Sequence, residues 1–142
     1  DQVGLEARVW GTNAVVTSNL IDLVGELAEG ALAVTVMTGL NADVPGLVTF
    51  REEMAAAGAS EADLSSASML AYSGGLVLEQ ALRDVGECLN ADALADAILA
   101  LEDFSTGGIM APINFDPATG LGNQGAIIQQ VVNGAWVTVD EG

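Results

Sequence analysis

Short apolar runs alternate along the chain with stretches of helical periodicity. Residues 5–10 form a strand-length run, and Gly11-Thr12-Asn13 reads as the loop leaving it. Leu20, Leu23, Val24 and Leu27 recur at three- and four-residue spacing, predicting a helix over about 19–29. Thr17 or Ser18 suits its cap and Gly30 its left-handed stop. Residues 31–37 are apolar on both faces, the pattern of a strand in a covered parallel sheet. Asp43 and Pro45 suit a helix start, with Leu47, Phe50 and Met54 as the apolar stripe and Arg51, Glu52 and Glu53 on the wet side. Gly58 ends that helix, and 58–63 is a polar connection. A longer helix is expected over 66–85, with Leu70, Val77, Leu78, Ala81, Leu82 and Val85 inward. Gly74-Gly75 inside it costs about 1 kcal/mol each in propensity, which close packing against another backbone would offset. Asn90 suits the cap of a further helix over 91–101, with Leu94, Ile98 and Leu101 inward. The Gly-, Pro- and Asn-rich stretch 105–125 holds one expected short strand around 109–115. Residues 126–132 and 135–139 flank Asn133-Gly134, a strong two-residue hairpin signal. The order is that of an α/β arrangement.

Composition narrows the function classes. The chain is 51% hydrophobic over 142 residues, enough to bury a core. Its net charge is −17, with three cations (Arg8, Arg51, Arg83), no lysine and no histidine. A nucleic acid or an anionic membrane surface would be repelled, since both are bound through clustered Lys and Arg. The acidic residues are scattered, which suits solubility in salt better than a specific cationic partner. Cys88 is the single cysteine, so neither an intrachain disulfide nor a cysteine–histidine zinc site is expected. No apolar stretch reaches the roughly 18–20 residues of a membrane helix. Nothing supports catalysis or a cofactor: the serines lack a nucleophile-elbow setting, and no dinucleotide-binding glycine pattern follows a strand. Asp116, Thr119 and Asn123 offer oxygens, but without the alternation of a calcium loop, so a turn is the expectation there.

Several segments, in order, resemble the type I periplasmic solute-binding proteins of branched-chain amino acid and amide importers. They are Val9-Trp10-Gly11-Thr12-Asn13, Leu27-Ala28-Glu29-Gly30-Ala31, and the run from Ala71-Tyr72-Ser73-Gly74-Gly75 to Ala81-Leu82. Phe104-Ser105-Thr106-Gly107-Gly108-Ile109 with Ile113-Asn114-Phe115-Asp116 follows, and the closing hairpin with Trp136 completes the set. Each is weak alone; their order and spacing carry the resemblance.

The resemblance implies a type I periplasmic-binding-protein fold with Rossmann-like parallel-sheet lobes, of which this chain is the C-terminal portion ending in a β-hairpin. Residues 1–30 would end one lobe, 31–125 would belong to the other, and 126–142 would return to the first. It implies a non-enzymatic role: capture of a small polar or amphipathic solute between two lobes, and delivery to the membrane permease of an ABC importer. A sensory ligand-binding domain of the same fold is the alternative. The implied location is periplasmic or extracellular, with a lipid anchor as one arrangement. The missing N-terminal part is expected as a second chain covering the sheet. The ligand-binding residues implied are Gly11, Thr12, Asn13, Met37, Thr38 and Tyr72. In relatives that bind aliphatic amino acids an acidic residue of the first loop meets the ligand ammonium. Here Asn13 stands at that position, which makes an amide, a hydroxy acid, an aromatic acid or a urea-like solute as plausible as an α-amino acid. Asn13 also reads as an ordinary turn residue, and Tyr72 as a core or hinge residue.

Overall fold

The computed structural model describes residues 9–12, 15–16, 18–122 and 125–139. The chain folds into two compact units, Asp1–Gly39 with Ala126–Gly142, and Leu40–Gly125.

The first unit is built on a mixed four-stranded sheet of order β1-β2-β3-β4. Its strands are β1 (Trp10–Thr12), β2 (Leu32–Thr35), β3 (Ile127–Val132) and β4 (Ala135–Thr138). β1 and β2 are parallel, with Trp10 opposite Leu32 and Thr12 opposite Val34. β2–β3 and β3–β4 are antiparallel. The sheet is therefore parallel at one edge only, because the hairpin joins β2 from its other side. The loop expected at Gly11-Thr12 is strand, and most of the expected strand 5–10 lies outside the described residues. Between β1 and β2 run α1 (Ser18–Val24) and a short 3-10 turn, Gly25–Ala28. The helix expected over 19–29 thus tightens at Gly25, whose φ of 58° leaves the α-helical region. Thr17, one of the two expected caps, lies outside the described residues.

Alternation along β2 sets the core of this unit. Ala31, Ala33, Thr35 and Met37 are buried, as are Gln129 and Val131 of β3. Ala28, Ala31 and Val131 cluster, with Ile21, Val24 and Trp136 packed against them. The opposite face was expected to be covered too. Instead Trp10, Val34, Val36, Val132 and Val137 are exposed, Trp10 at 58%. Within this unit α1 packs on the buried face, through Ile21 and Val24. The first unit extends through Gly39, because β2 is hydrogen-bonded to β1 and to β3 and groups with them. The hairpin forms as expected, with Asn133 and Gly134 at φ 52° and 72°. Glu29 closes it, its carboxylate accepting the N–H groups of Asn133 and Gly134 at 3.0 and 3.3 Å.

The second unit is helical. α2 (Pro45–Ala56) opens with Pro45 at its first turn and buries Leu47 and Phe50. α3 (Ser66–Val85) is capped by Ser65, whose hydroxyl accepts the Ser68 N–H. α4 (Ala91–Leu99) is capped by Asn90, accepting the Ala93 N–H at 3.0 Å. α4 stops two residues before the expected end, and Leu101 beyond it is buried. Two expectations change here. Arg51 is half-buried rather than wet, because its guanidinium reaches back to the Leu40 carbonyl. The strand expected around 109–115 reduces to one antiparallel bridge, Phe104 to Ile113. Ile109 and Ile113 are buried with Leu47, Phe50, Met69, Ala81 and Leu101, so the apolar pattern there served packing.

Candidate functional site

The C-terminal ends of β1 and β2 lie side by side, because Thr12 pairs with Val34 in parallel register. Backbone beyond such strand ends has no further ladder partner, and ligands of open α/β sheets bind there. Gly11 and Thr12 end β1, and Met37 and Thr38 follow the end of β2, so the structure brings these four candidates to one end of one sheet. Asn13 lies outside the described residues. Gly11 is half-buried and Thr12 exposed. Met37 and Thr38 are buried, at 2% and 9% exposure.

Met37 is held by a polar clasp. Its N–H donates to Thr35 Oγ1 at 3.1 Å, and its carbonyl accepts from the same hydroxyl at 2.9 Å. A second donor reaches that carbonyl from across the sheet: Gln129 Nε2, at 3.2 Å. Gln129 is 1% exposed. It stands opposite Ala33 of β2. Sequence reasoning missed Gln129 and Thr35. The signal was present: Gln129-Gln130 are adjacent polar residues in a strand, and the two-residue period sends one of any adjacent pair to the core face.

Tyr72 belongs to the second unit, where it stands in the second turn of α3. Its ring meets Phe50 edge-on, centroids 5.2 Å apart at 61°. Partial burial, and then the nearby Glu53 carboxylate, raise its hydroxyl above the ordinary pKa. Next to it Ser73 Oγ is buried and has no hydrogen-bond partner among the described residues.

Asp116 accepts the Ala118 N–H at 2.9 Å and the Thr119 hydroxyl at 2.8 Å, which is a turn. Asn123 lies outside the described residues. Among the described residues no group of three or more His, Cys, Asp or Glu side chains could hold a metal. No helix among them is long and apolar enough to cross a membrane. Cys88 is exposed.

A family model described as periplasmic binding protein matches residues 1–135. No curated protein sequence matches the chain. Among solved structures the chain is similar to a branched chain amino acid ABC transporter protein from Thermus thermophilus with bound valine. That likeness has a TM-score of 0.82 and 24% identity, and covers 99% of this chain and 40% of the other. A substrate-binding protein from Aeropyrum pernix gives 0.79 at 24% identity, over 96% of this chain and 38% of that one. An ABC transporter substrate-binding protein from Sphaerobacter thermophilus gives 0.73 at 26% identity, over 98% and 38%. The chain thus spans about 40% of the length of the structures it matches.

Proposed function

The chain belongs to the periplasmic binding protein family, and from that membership we propose that it is part of a two-lobed extracytoplasmic solute-binding protein of an ABC importer. It captures a small polar or amphipathic solute, an amino acid, an amide or a related compound, and presents it to a membrane permease. The family match over residues 1–135 carries this reading. The common end of β1 and β2 supports it, as the place where Gly11, Thr12 and Thr38 could offer hydrogen bonds to a solute, with Met37 as an apolar contact whose own backbone groups are already paired. Asn13 joins them as a neutral head-group contact, able to donate and accept. Tyr72, in α3, is a separate candidate for ligand contact through its ring and hydroxyl. The role is binding rather than catalysis.

A further part of the protein covers the open sheet face. Two observations support this: the exposed row Trp10, Val34, Val36, Val132 and Val137, and the 40% share of the relatives' length.

The test is a thermal-shift screen of the full gene product against valine, leucine, their amides, hydroxy acids and urea. A solute at 100 times its dissociation constant stabilises by about 2.7 kcal/mol, so a saturable rise in Tm is expected. A cooperative melt that none of these solutes moves overturns the reading.

A further inference from the structure

The hairpin turn carries a chemical liability. Asn133 is the one asparagine of the chain that is followed by glycine. In such a pair the glycine's backbone nitrogen can reach the carbon of the asparagine side-chain amide, because glycine has no Cβ to block the approach. Asn133 and Gly134 are both exposed, so water, the second reactant, has access to them.

In the fold that nitrogen is engaged. Glu29 Oε2 accepts the Gly134 N–H at 3.3 Å, and Oε1 accepts the Asn133 N–H at 3.0 Å. The carboxylate is presented by a fixed backbone. Glu29 N–H donates to the Glu26 carbonyl at 3.1 Å, and Gly30 N–H donates to the Val131 carbonyl at 3.0 Å, which ties this segment to β3 just before the turn. Hydrogen bonds to an ionised acceptor are stronger than neutral ones. For attack, the Gly134 nitrogen must lose its proton and turn toward the Asn133 amide carbon. Glu29 opposes both steps: it keeps the N–H directed at itself, and its charge repels the nitrogen anion.

We infer that Asn133-Gly134 is a site of spontaneous deamidation and that Glu29 is the residue that keeps it closed. Once the clasp opens, the Gly134 nitrogen bonds to Asn133 Cγ. Its proton passes to solvent, the side-chain nitrogen leaves as ammonia, and a succinimide remains. Water then opens the ring at either carbonyl, to aspartate or to isoaspartate. The isoaspartate route puts an extra methylene into the backbone of the turn. That turn sets the pairing of Val132 with Ala135 and of Val131 with Trp136, and Trp136 packs against Ala28, Ala31 and Val131. The longer turn disturbs this register. Either product also adds a carboxylate to a pocket already lined by Glu26 and Glu29.

The test follows the amide-to-acid mass gain at Asn133 by peptide mass spectrometry, on the full chain kept folded in mildly alkaline buffer. The same chain in urea is the reference, and only variants with the parent's circular dichroism are compared as folded protein. The folded parent should deamidate at Asn133 more slowly than the chain in urea. Glu29→Ala should speed the folded reaction by about tenfold or more, the worth of a hydrogen bond to a charged group. Glu26→Ala removes a carboxylate from the same pocket but neither bond, and should leave the rate unchanged. If Glu29→Ala does not fold, Glu29→Gln decides: one neutral oxygen replaces two charged ones, and the rate should rise above that of the parent. A folded parent as fast as the chain in urea, a folded Glu29 variant with the parent's rate, or equal acceleration by Glu26→Ala overturns the inference.

Discussion

At Asp116 one carboxylate gathers a backbone N–H and a hydroxyl, and both bonds favour its charged form. Its pKa is held below the ordinary 3.8, first by the Ala118 N–H and then by the Thr119 hydroxyl. The folded pKa is the lower one, so the contribution to stability is complete above 3.8 and fades as pH falls through the lowered value. Carboxyl NMR titration should place Asp116 below 3.8, and Thr119→Ala should bring it back toward that value. Gly46 tests packing at the same scale. Its N–H donates to the Gly107 carbonyl at 2.8 Å, where the entry of α2 and the 104–109 loop run backbone against backbone. An added Cβ would collide with the Thr106 carbonyl oxygen and meet that of Gly107 at 3.0 Å. Gly46→Ala should therefore lower unfolding stability by about 1–3 kcal/mol, the usual cost of overpacking, as read by urea denaturation.

α3 carries two apolar stripes, and the fold buries one of them. Met69, Ser73 and Ala81 are buried, while Leu70, Leu78 and Leu82, expected inward, are exposed at 47, 44 and 38%. Helical periodicity finds an apolar sector, but not which edge of it the neighbouring elements will cover. Gly74 and Gly75 lie with the exposed stripe, and an added Cβ at either would meet nothing within 4 Å. The propensity cost of the two glycines is thus not offset by close packing among the described residues. Gly74→Ala and Gly75→Ala should each stabilise the isolated chain by about 1 kcal/mol in chemical denaturation. A destabilising result for either would show that a backbone approaches that face.

Over the whole molecule, twenty acidic residues face three cations. Arg83 is engaged within its own helix by Glu79, and Arg51 by a carbonyl, which leaves most of the negative charge uncompensated. Salt screens such repulsion over about 8 Å at physiological ionic strength. Tm should rise when NaCl is raised from low to moderate concentration at neutral pH. A flat or falling Tm, measured by calorimetry, would show that self-repulsion contributes little to stability.

The local signals in the sequence set the elements. Pro45 begins α2, Ser65 and Asn90 cap α3 and α4, and Asn133-Gly134 turns the hairpin, because each acts through its own backbone or a neighbour within one turn. The ordered segments also pointed to the family that the match over 1–135 shows. Partnership lay beyond local signals. Residues 31–37 are apolar on both faces, and that pattern states a demand for cover without saying which chain supplies it; here one face of the sheet stays open. The division after Gly39 depends on β2 finding both β1 and β3, and β3 lies about a hundred residues along the chain. Gln129 belongs to the same class. Its polarity in an apolar strand was visible, but its hydrogen bond to Met37 exists only once that long-range pairing has formed.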